Sequence, residues 1–172
     1  MNIVLDPQTV PADDGSAVRA HFVDRMGHHL EVEGLPRIAG RLFGYLILAP
    51  EPVSFGALAE TLGVSRGSIS TNARLLESKG LIERMAVPGE RQDFFRLAER
   101  PYANMMRGII ARMQDMLATL AETADALPGD AAVERARLDE ARQFFETSVS
   151  AFADIAARLA DQPVPAQTPD DR

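Results

Sequence analysis

The chain has 172 residues, 46% of them apolar, with 25 acidic against 18 basic side chains, a formal net charge of −7 and no cysteine. That is enough apolar matter for a real core in one or at most two domains. The missing cysteines exclude disulfides, thiol nucleophiles and cysteine-ligated zinc.

Residues 1–14 are polar and proline-punctuated and read as a flexible arm. MNIVLDPQTV lacks the basic start and apolar run of a secretion signal. The longest apolar stretch, Leu42 to Ala49, is far short of the roughly 20 residues that cross a bilayer. A cytoplasmic protein without membrane contact is expected. From about Gly15 to Glu33 a helix is predicted, with Val18, Phe22, Met26 and Leu30 at steps of four as its apolar stripe. His21 and His28 share a face of it near Asp24, with His29 alongside. A metal site needs three or four convergent ligands, which one helix does not supply, so these read as partly exposed histidines and no metal is expected. Gly34 ends this helix. Pro36 opens the next, Pro36 to Ala49, a core helix whose Gly40 and Gly44 admit a close neighbour. Arg37 and Arg41 are placed on its solvated side.

Ser54 to Gly80, SFGALAETLGVSRGSISTNARLLESKG, organises the rest. Ser54 is a good N-cap, and Leu58, Ala59 and Leu62 mark one buried helical face. Gly63 stands where a helix end calls for positive φ, and Ser65 caps a second helix two residues later. Two helices so closely joined must cross steeply, as in a helix-turn-helix. On a helical wheel at about 100° per residue, Ile69, Ala73 and Leu76 gather on one side, with Gly67, Ser70, Thr71 and Arg74 on or near the other. Between Gly63 and Leu76 there is no acidic residue. DNA carries a negative charge about every 1.7 Å of axis, so a helix lying in its groove avoids carboxylates. Hydroxyls at Ser65, Ser68, Ser70 and Thr71 let the backbone come close and can bond phosphates or base edges. An ordinary exposed face would mix Glu and Lys. Leu75 falls off the core stripe without an evident partner.

LIERMAV, PGERQ and DFFRL follow, two short strands around a Pro-Gly turn. Phe95 and Leu97 share one side of the second strand, Phe94 and Arg96 the other. A helix-turn-helix followed by a hairpin is a winged helix, with Arg91 at the wing tip within reach of backbone or minor groove. Beyond Arg100-Pro101 a long helix carries Met106, Met113, Leu120 and Leu127 every seven residues, with Tyr102, Ile109 and Met116 interleaved. Pro128-Gly129-Asp130 breaks it. A second helix from about Asp130 to Ala160 presents Leu138, Ala141, Phe145, Phe152, Ile155 and Leu159. Two such helices exceed what a winged helix can cover, so their apolar faces want each other and a second protomer. PVPAQTPDDR reads as a disordered tail.

Gly34 to Leu97 resembles the GbsR branch of the MarR-type winged-helix regulators, in its GLPRIAGRLFGYL opening, its LGVSRGSIS turn and recognition helix, and its PGERQDFF wing. The resemblance covers about a third of the chain and implies a homodimeric DNA-binding transcriptional regulator. Glu90-Arg91 stands where the wider family has Asp-x-Arg. The expected fold is mainly α with a small β-hairpin wing. The expected domains are the arm 1–14, a winged helix-turn-helix with its preceding helices over 15–100, a helical dimerisation region over 101–160 and a tail over 161–172.

Charge distribution agrees with DNA. From Ser54 to Arg100, seven basic residues face six acids, leaving the acidic excess elsewhere, and salt limits its reach to about 8–10 Å. The expected partners are double-stranded DNA with a near-palindromic operator and a second copy of the chain. The recognition helix, about 65–79, would lie in the major groove and the wing, about 81–97, on the backbone or minor groove. Candidate contacts are Ser54, Ser65, Arg66, Gly67, Ser68, Ser70, Thr71, Arg74 and Arg91, with Thr71 and Arg74 for base edges. A small-molecule effector would fit such a dimer. Met105, Met106, Met113 and Met116 with Tyr102 and Phe94 are adaptable lining candidates, although a methionine stripe is more often plain core. A winged-helix adaptor that binds protein instead of DNA is the competing reading, but it gives no reason to exclude carboxylates. No P-loop, GxGxxG, HExxH or Ser/His/Asp grouping occurs, so neither enzymatic activity nor a cofactor is expected.

Overall fold

The structure, a computed structural model, describes residues 15–161. The expected arm and all but the first residue of the expected tail lie outside the described residues. In chain order the elements are α1 (Ser16–Val32), α2 (Arg37–Leu48), β1 (Val53–Ser54), α3 (Phe55–Leu62), α4 (Arg66–Ser78), β2 (Ile82–Ala86), β3 (Asp93–Leu97), α5 (Pro101–Ala126) and α6 (Ala132–Ala160).

Glycine sets how closely α1 and α2 pack. A Cβ on Gly40 would lie 2.5 Å from the Met26 carbonyl oxygen and 2.8 Å from the Gly27 Cα. One on Gly44 would lie 2.8 Å from the Met26 Cβ. The buried face of α1 is therefore Val23 and Gly27, flanked by half-buried Met26 and Leu30. Val18, expected on that stripe, is 67% exposed. Steps of four advance about 40° per step on a wheel of 100° per residue, so a stripe extended over three steps leaves the contact face. Arg41 also departs from expectation. Its stem crosses Gly27, its Nε lies 2.9 Å from Asp24, and its Nη1 donates to the Leu62 carbonyl at 2.9 Å. The Asp24 contact is an ion pair without hydrogen-bond alignment. Arg41 thus ties α1 and α2 to the open C-terminal end of α3, where a cation offsets the helix dipole.

Leu42 and Leu46 of α2, Leu58 of α3, Ile69, Ala73 and Leu76 of α4 and Phe95 of β3 are all essentially unexposed and form one core. Leu75 packs against the same cluster, which accounts for its apolar character. The sheet has three strands in the order β1-β3-β2, all antiparallel. The hairpin was expected, but β1 was not: two residues carry no periodicity. They become a strand because β3 pairs with them, Val53 opposite Phe95 and Ser54 opposite Phe94. The wing turn has Gly89 at φ +87° after Pro88, closed by the Glu90 amide donating to the Val87 carbonyl at 3.0 Å.

α5 and α6 form a hairpin whose seam alternates in steps of three and four. Along α5 the half-buried seam positions are Met106, Ile110, Met113, Leu117, Leu120 and Ala124, continued by Leu127 just past its end, and Ile109, of the expected interleaved set, is half-buried as well. The heptad of Met106, Met113, Leu120 and Leu127 is as expected, but its partners are Ile110, Leu117 and Ala124. Tyr102 and Met116, expected between them, are exposed, as is Met105. On α6 the seam includes Leu138, Ala141, Phe145, Phe152 and Leu159, while Ile155 is exposed. Arg135 closes the turn by donating to the carbonyls of Ala124, Leu127 and Pro128 at 3.0, 2.6 and 2.9 Å, satisfying groups left open where α5 ends.

Gly40→Ala tests the α1–α2 contact. A mid-helix glycine replaced by alanine ordinarily gains up to about 1 kcal/mol, whereas overpacking against backbone costs about 1–3 kcal/mol. The expected result is a lower urea-unfolding midpoint. An unchanged or raised midpoint would show that α1 gives way freely.

Candidate nucleic-acid interface

Two serine caps and one glycine build the helix-turn-helix. The Ser54 hydroxyl accepts from the Ala57 amide at 3.2 Å and the Ser65 hydroxyl from the Ser68 amide at 3.2 Å. Between them Gly63 takes φ +64° and ends α3. α4 is therefore held at both faces: Ile69, Ala73 and Leu76 go into the core, and Ser65, Arg66, Gly67, Thr71 and Arg74 face solvent. Ser68 and Ser70 are half-buried on the flanks. Ser54 is part-buried, lies in β1 and uses its hydroxyl as a cap, so it stands apart from the outward set.

The exposed cations are held by soft contacts. Arg74 Nη2 donates to the Ser70 hydroxyl at 3.0 Å, one turn back. The Arg66 guanidinium lies over the Phe55 ring, 5.0 Å from its centroid, an exposed cation–π contact of about 0.5–1 kcal/mol. Arg66 is the first residue of α4, where the helix dipole favours anions, and the first turn holds no carboxylate. An outside anion would therefore meet both a cation and open amides. Asn72, unremarked in the sequence, is buried beneath this surface and donates to the Ser68 carbonyl at 2.8 Å.

The wing is fastened to α4 by charge. Arg84 on β2 donates to both Glu77 carboxylate oxygens, at 3.1 and 3.0 Å, and to Asp93 at 3.1 Å. Its hydrogen bonds to Glu77, foremost, hold its pKa above the usual arginine value against the opposing effect of burial, with the charges of Glu77 and Asp93 and the Asp93 hydrogen bond adding to the rise. It also covers the Phe95 ring, 5.4 Å from the centroid. Arg96 pairs with Glu83 across the strands at 3.0 Å. Of the seven basic residues of this segment, Arg84 and Arg96 are therefore not available to DNA: they answer Glu77, Asp93 and Glu83. Arg66, Arg74, Lys79, Arg91 and Arg100 remain in the segment, against Glu60, Glu90 and Glu99. Arg91 is exposed in the wing turn, and its neighbour Gln92 accepts from the Gly56 amide at 3.2 Å, tying the wing to the start of α3. Neither the Arg84 bridge nor the Gln92 contact has a local sequence signal, because their partners come from other elements.

The methionine set weighed as an effector lining is divided by burial: Met106 and Met113 are half-buried on the α5–α6 seam, whereas Tyr102, Met105 and Met116 are exposed. His21, His28 and His29 are exposed on α1, and no cluster of three metal-ligating side chains occurs among the described residues. No helix among the described residues is long and apolar enough to cross a membrane.

A helix-turn-helix with an acid-free outer face and a fastened wing defines a winged-helix DNA-binding transcriptional regulator. Comparisons with known proteins agree. Residues 33–93 match the sequence profile of the MarR family. The HTH-type transcriptional regulator MmpR5 of Mycobacterium tuberculosis is 39% identical over 143 residues, 82% of this chain and 86% of that protein. The HTH-type transcriptional repressor OpcR of Bacillus subtilis is 22% identical over 82 residues, 48% of this chain and 44% of that protein. A crystal structure of a transcriptional regulator superposes with a TM-score of 0.74 at 37% identity, covering 84% of this chain and 99% of that one. The chain belongs to the MarR family of transcriptional regulators.

Gly67 provides a test. A Cβ there would meet only the Ser65 hydroxyl at 3.9 Å, so internal packing does not require glycine. Gly67→Ala is expected to stabilise the fold by up to about 1 kcal/mol while weakening DNA binding, as read by thermal unfolding alongside fluorescence anisotropy. Unweakened binding would remove Gly67 from the contact surface.

Proposed function

We propose that the protein acts as a homodimer that presents two α4 helices to successive major-groove segments of a near-palindromic operator. The observation that carries the DNA geometry is the outward face of α4: Gly67, Thr71 and Arg74 exposed, no carboxylate from Gly63 to Leu76, and Arg91 exposed on the neighbouring wing. Thr71 and Arg74 reach base edges. Ser65, Arg66 and Ser68 hold phosphates with the open first turn of α4. Arg74 needs only to leave its Ser70 hydroxyl, a weak exposed contact, to make a bidentate bond to guanine. Arg91 takes the backbone or minor groove.

Dimerisation is supported by apolar surface that α5 and α6 leave uncovered after packing on each other. Phe144 is 63% exposed, and Tyr102, Met105, Met116 and Ile155 are 40–46% exposed. A second copy covers such stripes and sets two heads about one duplex turn apart, roughly 34–36 Å. The domain division follows: 15–100 reads DNA, 101–160 pairs protomers. A small molecule that controls such a dimer must bind one head separation better than another.

Selection of genomic fragments by the purified protein, followed by salt titration on the best one, tests this reading. A palindromic site with a steep negative salt slope is expected, and no fragment bound above background at low salt would overturn it. On that operator, Arg74→Ala is expected to cost about 1–3 kcal/mol and relax specificity at one position. Arg91→Ala is expected to weaken all sequences alike and reduce the salt slope by about 1.

A further inference from the structure

The helical hairpin meets the winged helix over a small area. The buried residues of α5 are Pro101 and Ala103, in its first turn, and α6 has none. The orientation of the head relative to the hairpin is therefore decided within a few residues around residue 101. There α4 ends in a Schellman turn: the Gly80 amide donates to the Glu77 carbonyl at 2.8 Å, and the Leu81 amide to the Leu76 carbonyl at 3.0 Å, with Gly80 at φ +65°. These bonds occupy the amides and leave the Gly80 carbonyl pointing away from the helix. Asn104 of α5 takes it, its Nδ2 donating at 2.6 Å. A Cβ on Gly80 would stand 2.9 Å from the Asn104 Cβ, so the two backbones meet where only glycine fits. Arg107, one turn on, donates to the Asn104 Oδ1, which fixes which end of the amide faces Gly80.

We propose that Asn104 is a positioning residue that locks the last residue of the recognition-helix turn to the first turn of the dimerisation helix, and thereby sets the half-site spacing the protein accepts. This rests on the homodimer reading above. The pivot sits at one end of the recognition helix. α4 has 13 residues, roughly 20 Å at 1.5 Å per residue, so with two hairpins fixed to each other a tilt of about 10° at Gly80 swings its far end by about 3 Å, close to the base-pair rise of about 3.4 Å. One hydrogen bond at the pivot is thus placed to discriminate single-base-pair changes in spacing.

Asn104→Asp is the test. It is nearly isosteric, keeps an acceptor for Arg107 and places a carboxylate near a helix N-terminus, where it is favoured. It replaces the donor to Gly80 by a carboxylate oxygen that repels the Gly80 carbonyl, so this contact opens. Should it fail to fold, Asn104→Ser carries the same measurement. Wild type and variant are titrated against the selected operator, against versions with one or two base pairs inserted or deleted between half-sites, and against a duplex with one half-site. The expected result is a wild-type affinity that falls at least tenfold per inserted base pair. The variant should show at least a threefold shallower dependence, with half-site binding within about twofold of wild type. An unchanged spacing profile overturns the proposal. Equal losses on half-site and full operator also overturn it, and make Asn104 a local support for α4. If wild type itself binds only single half-sites, the homodimer reading falls first, which separates the two failures.

Discussion

Everything the protein offers to DNA depends on how α4 is seated. Ile69, Ala73 and Leu76 are wholly buried against Leu42, Leu46, Leu58 and Phe95, and each large apolar side chain so buried contributes about 1.5–3 kcal/mol. That one-sided packing lets the opposite face do without the carboxylate–lysine pairs that support ordinary exposed helices. The first turn is spared acids at a small cost to the dipole, and Gly67 is spared a side chain at a cost in helix propensity. Both costs fall on an element the core already holds in place.

Electrostatics are divided by role. Arg41, Arg84 and Arg96 each answer a carboxylate and join elements: α1 with α2 and α3, the wing with α4, β2 with β3. Such partly exposed pairs add little to global stability, about 0–1 kcal/mol each, and their consequence is geometric. Arg84 fixes where the wing stands relative to α4. On the outer face of α4, Arg74 is attached to a hydroxyl and Arg66 lies over an aromatic ring, partners readily exchanged for phosphate. A net charge of −7 is compatible with DNA because its excess acids lie outside the segment from Ser54 to Arg100.

The α5–α6 hairpin leaves apolar side chains uncovered. Its seam consumes one stripe of each helix and leaves a second stripe, including Tyr102, Met105, Met116, Phe144 and Ile155, facing outward. Its hold on the head is equally narrow, concentrated at Pro101, Ala103 and Asn104. A head attached at one narrow joint can turn as a unit about it, and Gly80 and Asn104 lie at that joint.

Much of this was legible from sequence because its causes are local. Ser54 and Ser65 cap helices, Gly63 turns the chain, Pro88-Gly89 turns the wing, and the Ile69, Ala73, Leu76 stripe marks the inside of α4, all within windows of a few residues. What was not legible depends on partners that arrive from far along the chain. β1 is a strand only because β3 lies beside it. Arg41 looked solvated until α3 brought the Leu62 carbonyl to it. Tyr102 and Met116 fit a heptad as well as Ile110 and Leu117 do, and only the register of α6 against α5 decides between the two stripes. The sequence by itself determined the reading head, since helix period, caps and turn glycines act on neighbouring residues. Tertiary structure decided the ion pairs, the third strand and the Asn104–Gly80 pivot, since a side chain's partner across the fold is settled only when the chain closes on itself.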